Sequence, residues 1–161
     1  MPNMPTATRF FQPGIVAILW FDDIVAETLT PTAEEIAAAM NLTNEVDDIA
    51  GWATSTAFIE TKDAGTRLRP QLAGAVTFEG SSITFNGSRD GQDARTVFER
   101  GQSGFVMFAD AGLATGRPGE VFPAEVGSVV KLRSLDNAPF KIRVDFGITA
   151  VPRDIVIPTL A

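Results

Sequence analysis

The chain carries few of the residues with which proteins do chemistry. Its 161 residues include no histidine, no cysteine and no tyrosine. The usual general base near neutral pH and the commonest transition-metal ligand are therefore missing. Candidate nucleophiles reduce to Ser, Thr, Lys and carboxylates. Ser128-Val-Val-Lys131 has the S-x-x-K spelling, which works when both side chains share a helix face. In a strand an offset of three places them on opposite faces, and no K-T-G accompanies it. Asn86-Gly-Ser-Arg-Asp90-Gly91 imitates the opening of an EF-hand loop, but its twelfth position is Val97, where calcium needs a bidentate Glu. The simpler reading is a loop leading into an N-capped helix. The doublets Asp22-Asp23 and Asp47-Asp48 put one carboxylate on each face of an extended chain. Gly112, Gly116 and Gly119 are too widely spaced for a dinucleotide fingerprint. No catalytic, cofactor-binding or metal-ligating residue is expected, and the chain reads as a non-enzyme.

The elements that would position any site are mostly strands. Residues 15–21, IVAILWF, form an apolar run of the length of a strand buried on both faces. Thr32-Ala-Glu-Glu35 is a capping box, and Ala33, Ile36, Ala37 and Met40 follow at helical spacing, which predicts a helix over 32–40. A second helix is expected over 90–99. Residues 46–59 read as one strand with Trp52, Thr56 and Phe58 on one parity. Val76 and Phe78 alternate on one parity and Ile83 and Phe85 on the other, so a bulge or tight turn belongs at 80–82. Residues 103–108 are another short strand. Over 140–150, Phe140, Ile142, Val144, Phe146, Ile148 and Ala150 alternate with polar residues and Gly147. With residues 122–133 and a turn at 135–139 this predicts an antiparallel hairpin. Residues 154–157, between Pro152 and Pro158, suit an edge segment. The expected class is mainly β: a two-sheet sandwich or partly closed barrel with flanking short helices. The expected organisation is an arm over 1–14, one domain over 15–158 and a tail over 159–161.

Charge and composition narrow the partners. A 45% hydrophobic, 20% charged chain is ordinary globular usage. A net charge of −7 argues against tight nucleic-acid binding, which rests on cations meeting phosphates. No basic-then-apolar leader is visible in residues 1–13, and 14–21 is too short for a transmembrane segment. A soluble product made in the cytoplasm is expected.

Two features lack an explanation within one domain. Lys131 and Arg133 face Lys141 and Arg143 across the predicted hairpin, with Asp145 the one acid on that side. Like charges across a strand pair repel, so either solvent or the acids of a neighbouring copy must neutralise them. Residues 57–74 have no period, and a connection of that length is unusual in a compact domain. Leu68 and Leu72 are its apolar anchors, flanked by Arg67 and Arg69. An arm that docks on another subunit is the expectation for this stretch.

PTAEEIAA, DDIAGWATSTAFIETKDAGTRL, SSITFNGSRDGQDARTVFERGQSGFVMF, EVFPAEVGSVVKLRS and FKIRVDFGITAVPRDIVIP occur in that order over residues 14–158. In order and spacing they resemble the tail tube (major tail) proteins of long-tailed bacteriophages, especially those of actinobacteria. The resemblance implies a two-sheet sandwich with a flanking helix. It implies self-assembly into hexameric rings that stack into a tube in the virion. The tube would surround a tape-measure protein, meet tail-end proteins, and pass double-stranded DNA without binding it specifically. A domesticated tail-like particle would use the same subunit. The different class of function is a monomeric β-sandwich that binds glycans. It would need exposed aromatic platforms, whereas both Trp fall in apolar strand patterns.

Overall fold

The computed structural model describes residues 1–160; residue 161 of the expected tail lies outside them. In chain order the elements are β1 (Ala17–Phe21), α1 (Ala33–Ala38), β2 (Met40–Asn41), a 3-10 turn (Thr43–Glu45), β3 (Val46–Ala50), β4 (Thr54–Glu60), β5 (Gln71–Phe78), β6 (Ser81–Asn86), α2 (Ala94–Val97), β7 (Ser103–Ala109), β8 (Pro118–Leu132), β9 (Lys141–Ile148) and β10 (Arg153–Val156). The protein is mainly β. Eight strands form one large antiparallel sheet in the order β2-β1-β7-β8-β9-β6-β3, with β10 on β8, and β4 pairs with β5 alone. The chain divides into two compact units. The first comprises residues 1–45, 103–124 and 149–161, and the second 46–102 and 125–148.

In the first unit β1 pairs antiparallel with β7, Leu19 opposite Met107 and Trp20 opposite Val106. Ile18, Leu19, Trp20 and Phe21 are all buried, so the strand is covered on both faces, as its unbroken apolar run requires. Leu19, Phe21, Ile36, Met107, Val121, Ile155 and Ile157 make one cluster. α1 begins with the predicted capping box: Thr32 Oγ1 accepts from Glu35 N, and Glu35 Oε2 accepts from Thr32 N at 2.7 Å. The Thr32 amide, with a second bond from the Val25 amide, holds the Glu35 carboxyl below its ordinary value. The helix stops two residues before the expected end, because Met40 and Asn41 turn extended and pair with β1. β10 lies antiparallel on β8, Asp154 opposite Glu120.

In the second unit β3, β6 and β9 are neighbours. Ile83, Phe85, Ile142, Val144 and Phe146 are buried. Phe98 closes this core, 5.6 Å from both Phe85 and Phe146, edge-on to the latter. The second helix is far shorter than expected. Asp93 caps it, accepting from Arg95 N, while residues 88–92 fold as a loop. The reason is Asp93 itself. Its side chain is 3% exposed and also holds the Ser88 amide and the Arg95 guanidinium, which ties the loop down instead of letting it wind. Ser88 Oγ and Asp90 Oδ1 bond within the same loop. Arg95 stacks over Phe140, 5.4 Å from the ring centroid.

The expected strand 46–59 is two strands. It breaks at Gly51 (φ 80) and Trp52 (φ 62), both in the left-handed region. β5 and β6 break opposite, at Glu79-Gly80. Ala50 still pairs with Ser82 and Thr54 with Phe78, so the same hairpin continues through the corner. A Cβ on Gly51 would strike the Gly80 carbonyl oxygen, which makes glycine obligatory at this corner. Trp52 is not part of an apolar strand: its backbone N donates to Ser81 Oγ and its Nε1 to the Ser82 carbonyl, both at 3.1 Å, and its ring packs 5.3 Å from Phe146. The expected parity slip at 80–82 is this corner, where the hairpin leaves the large sheet.

Candidate assembly surface

Beyond the corner, β4 and β5 form a two-stranded ribbon that belongs to no larger sheet. Every residue of β4 except Thr56 is exposed, and on β5 only Gly74 and Phe78 are half-buried. The ribbon nevertheless carries large apolar side chains. Phe58 is 64% exposed, Ile59 58%, Leu72 59% and Val76 53%. A register shift between Thr56 and Phe58 sets their faces. Ile59 pairs with Leu72 on one face; the extra residue lies in β5, where Gly74 and Ala75 stand opposite Ala57, so Val76 pairs with Thr56 on the other face. β4 itself carries no extra residue, so Thr56 and Phe58 keep the single parity expected for them and share that face with Val76. Both faces of the ribbon are thus apolar in part and wet, an arrangement that an isolated hairpin cannot hold cheaply in water.

The expected loop over 57–74 is shorter: residues 57–60 and 71–74 are strand, and the loop proper is 61–70. Strand pairing reaches the tip because Thr61 N donates to the Pro70 carbonyl at 2.9 Å. Asp63 organises the loop, accepting from Thr66 Oγ1 at 2.9 Å and from Gly65 N at 2.8 Å, and these bonds lower its carboxyl from the ordinary value. Leu68 is 75% exposed. Arg67 has no ion pair among the described residues, and Arg69 approaches only Glu60, at 3.8 Å between exposed groups. The structure therefore brings Arg67, Leu68, Arg69 and Leu72 together at one end of the ribbon.

The basic face of the β8–β9 hairpin is less unbalanced than expected. Lys141 Nζ meets Asp47 Oδ2 at 2.8 Å, and Arg143 Nε meets Asp145 Oδ1 at 3.0 Å. Asp47 comes from β3, six strands earlier in the chain but beside β9's neighbour β6, so only the sheet topology could supply it. Lys131 and Arg133 are exposed and have no ion pair among the described residues. Ser128 Oγ donates to Asp145 Oδ2 at 2.7 Å, so the hydroxyl of the S-x-x-K spelling is already engaged. Among the described residues no group of three or more acidic side chains could hold a metal, and no helix is long and apolar enough to cross a membrane.

The sequence profile of the phage tail tube proteins matches residues 4–159. The chain belongs to the phage tail tube protein family. No individually curated protein matches it. Among solved structures it is similar to a chain of the anti-feeding prophage baseplate, determined by cryo-electron microscopy and six-fold symmetrised. The TM-score is 0.54 at 13% identity, over 98% of this chain and 99% of that one. At that identity the likeness concerns the fold. As a tail tube family member the chain is a structural, tail-tube-like subunit of a phage tail.

Proposed function

We propose that this protein is the tube subunit of a long phage tail, assembling as stacked six-membered rings whose bore passes the genome. The β4–β5 ribbon carries the reading. A hairpin with Phe58, Ile59, Leu72 and Val76 exposed has no partner in its own sheet, and a neighbouring copy can cover it. The six-fold symmetry of the prophage baseplate that shares the fold supports a ring of six. Arg67, Leu68, Arg69 and Leu72 are the proposed contacts of the ribbon. Lys131 and Arg133 are proposed to meet a neighbour's carboxylates, which a net charge of −7 supplies in excess. Lys141 and Arg143, paired within the chain, act there through Asp47 and Asp145. A net acidic subunit suits a conduit that must not grip DNA. A tape-measure protein inside the tube, tail-end proteins and an actinobacterial host belong to the same proposal.

The likeness to a prophage-derived baseplate favours one second reading, the tube of a tail-like particle that carries no genome. Negative-stain microscopy of the purified, concentrated protein tests the common core of both. Rings and tubes are expected; a monodisperse monomer at every concentration and salt would overturn them. Nuclease-protected DNA in particles purified from the source separates the phage from the empty device.

A further inference from the structure

Residues of the first unit form an open groove of about 730 Å3, within the size that holds a few side chains of a peptide or a small ligand, roughly 300–1,000 Å3. Its apolar wall comes from Leu29, Phe105, Pro123 and Val151, and Val151 is 70% exposed. Glu27 and Asp154 stand in its lining with one cation, Arg153. Glu120 lies across the strand pair from Asp154. None of these three carboxylates has an ion pair among the described residues. Burial raises the Glu120 carboxyl above its ordinary value, and Asp154 and Asp110 add repulsion, so this corner of the surface carries unrelieved negative charge. Leu29, on the apolar wall, has φ 58, an unfavourable conformation for its type and one that recurs at ligand clamps.

The chain also contains the complement of this groove. The loop 61–70 carries Lys62, Arg67 and Arg69 against Asp63 alone, with the exposed Leu68 between the two arginines. From this match we infer that the β4–β5 hairpin tip of one copy docks in the groove of a second copy, Leu68 against Leu29, Phe105 and Val151, and Arg67 and Arg69 towards Glu27 and Asp154. This rests on the assembly proposed above and adds its receptor surface. Charge and apolar pattern agree at both ends. Arginine forks favour carboxylate partners, and an apolar anchor between two such forks fixes the register in which the tip can enter.

The absence of cysteine allows a direct test. Leu68→Cys and Val151→Cys are made in separate proteins, both at exposed positions that leave the fold intact. The two are mixed, assembled and mildly oxidised. The docking predicts a disulfide-linked dimer with one copy of each variant, formed in the sedimented assemblies. Tubes without that dimer, or with only Leu68→Cys homodimers, overturn the receptor assignment and leave the tube reading standing. No assembly under any condition overturns both. In parallel, Arg67→Glu with Arg69→Glu should raise the critical concentration at least about tenfold, and adding Glu27→Arg with Asp154→Arg in the same chain should return most of the loss. A charge swap that restores nothing counts against the groove in the same way.

Discussion

Replacing Ile59 and Leu72 together by serine separates assembly from folding. The two face each other across the ribbon, and each leaves more than half of its surface in water, 58% and 59%. Full burial of such a side chain contributes roughly 1.5–3 kcal/mol, so the part still available is about 1–2 kcal/mol each and about 2–4 kcal/mol for the pair. If a neighbouring copy covers them, that amount leaves every subunit contact. The critical concentration should then rise by about 30- to 700-fold, at tenfold for each ~1.4 kcal/mol. Folding should hardly notice. Lost cross-strand packing costs the ribbon roughly 0.2–1 kcal/mol, and surface substitutions away from special features stay within about 0.5 kcal/mol. Sedimentation of polymer across a concentration series measures the first quantity, and thermal unfolding of the soluble subunit the second. An unchanged critical concentration would refute the claim that this face is covered in the assembly. A large loss of unfolding temperature would show that the ribbon is core rather than contact.

Asp93→Ala should cost about 3 kcal/mol, a helix cap of ~1 and charge-assisted bonds to Arg95 for the rest, and lower the melting temperature by roughly 6–12 °C. Arg95, with the Ser88 and Arg95 amides, holds the Asp93 carboxyl well below the usual carboxylate range, so its contribution is present above pH ~3.9 and lost as the pH falls below that; Asp93→Asn should flatten the acid limb of the stability curve. Gly51→Ala combines a left-handed backbone with a clash against Gly80, and should destabilise by at least about 2 kcal/mol in chemical denaturation, whereas an unchanged midpoint would mean the corner is not fixed as described. Trypsin should nick the free subunit after Lys62 or Arg67 much faster than the assembled one, since the loop 61–70 is exposed; equal rates in both states would remove it from the contact.

Local rules made several elements legible. The capping box over Thr32–Glu35, the doubly buried run around Ile18–Phe21 and the alternation of Ile142, Val144 and Phe146 each depend on neighbours within a few residues, and each folds as its spacing requires. The same rules failed where a long-range partner decided. Trp52 reads as one more apolar strand residue, yet its ring lies on Phe146 and its two N–H groups go to Ser81 and Ser82, about thirty residues away. Lys141 reads as an unneutralised charge until the sheet order sets Asp47 beside it. The helix expected over 90–99 shrank because the side chain of Asp93 found better partners in the loop than in the helix.

By itself the sequence determined that this protein is β-rich and acidic and that it resembles tail tube proteins, because short-range periods are enough to recognise strands and the order of the motifs carries the resemblance. Only the tertiary structure decided which strands share a sheet and where the hairpin leaves it. Strand pairing is set by contacts between residues far apart in the chain, and an extra residue in β5 between Ala73 and Val76 moves Val76 to the other face without altering the composition around it. The wet apolar ribbon therefore has no local signature apart from one parity slip near Gly80.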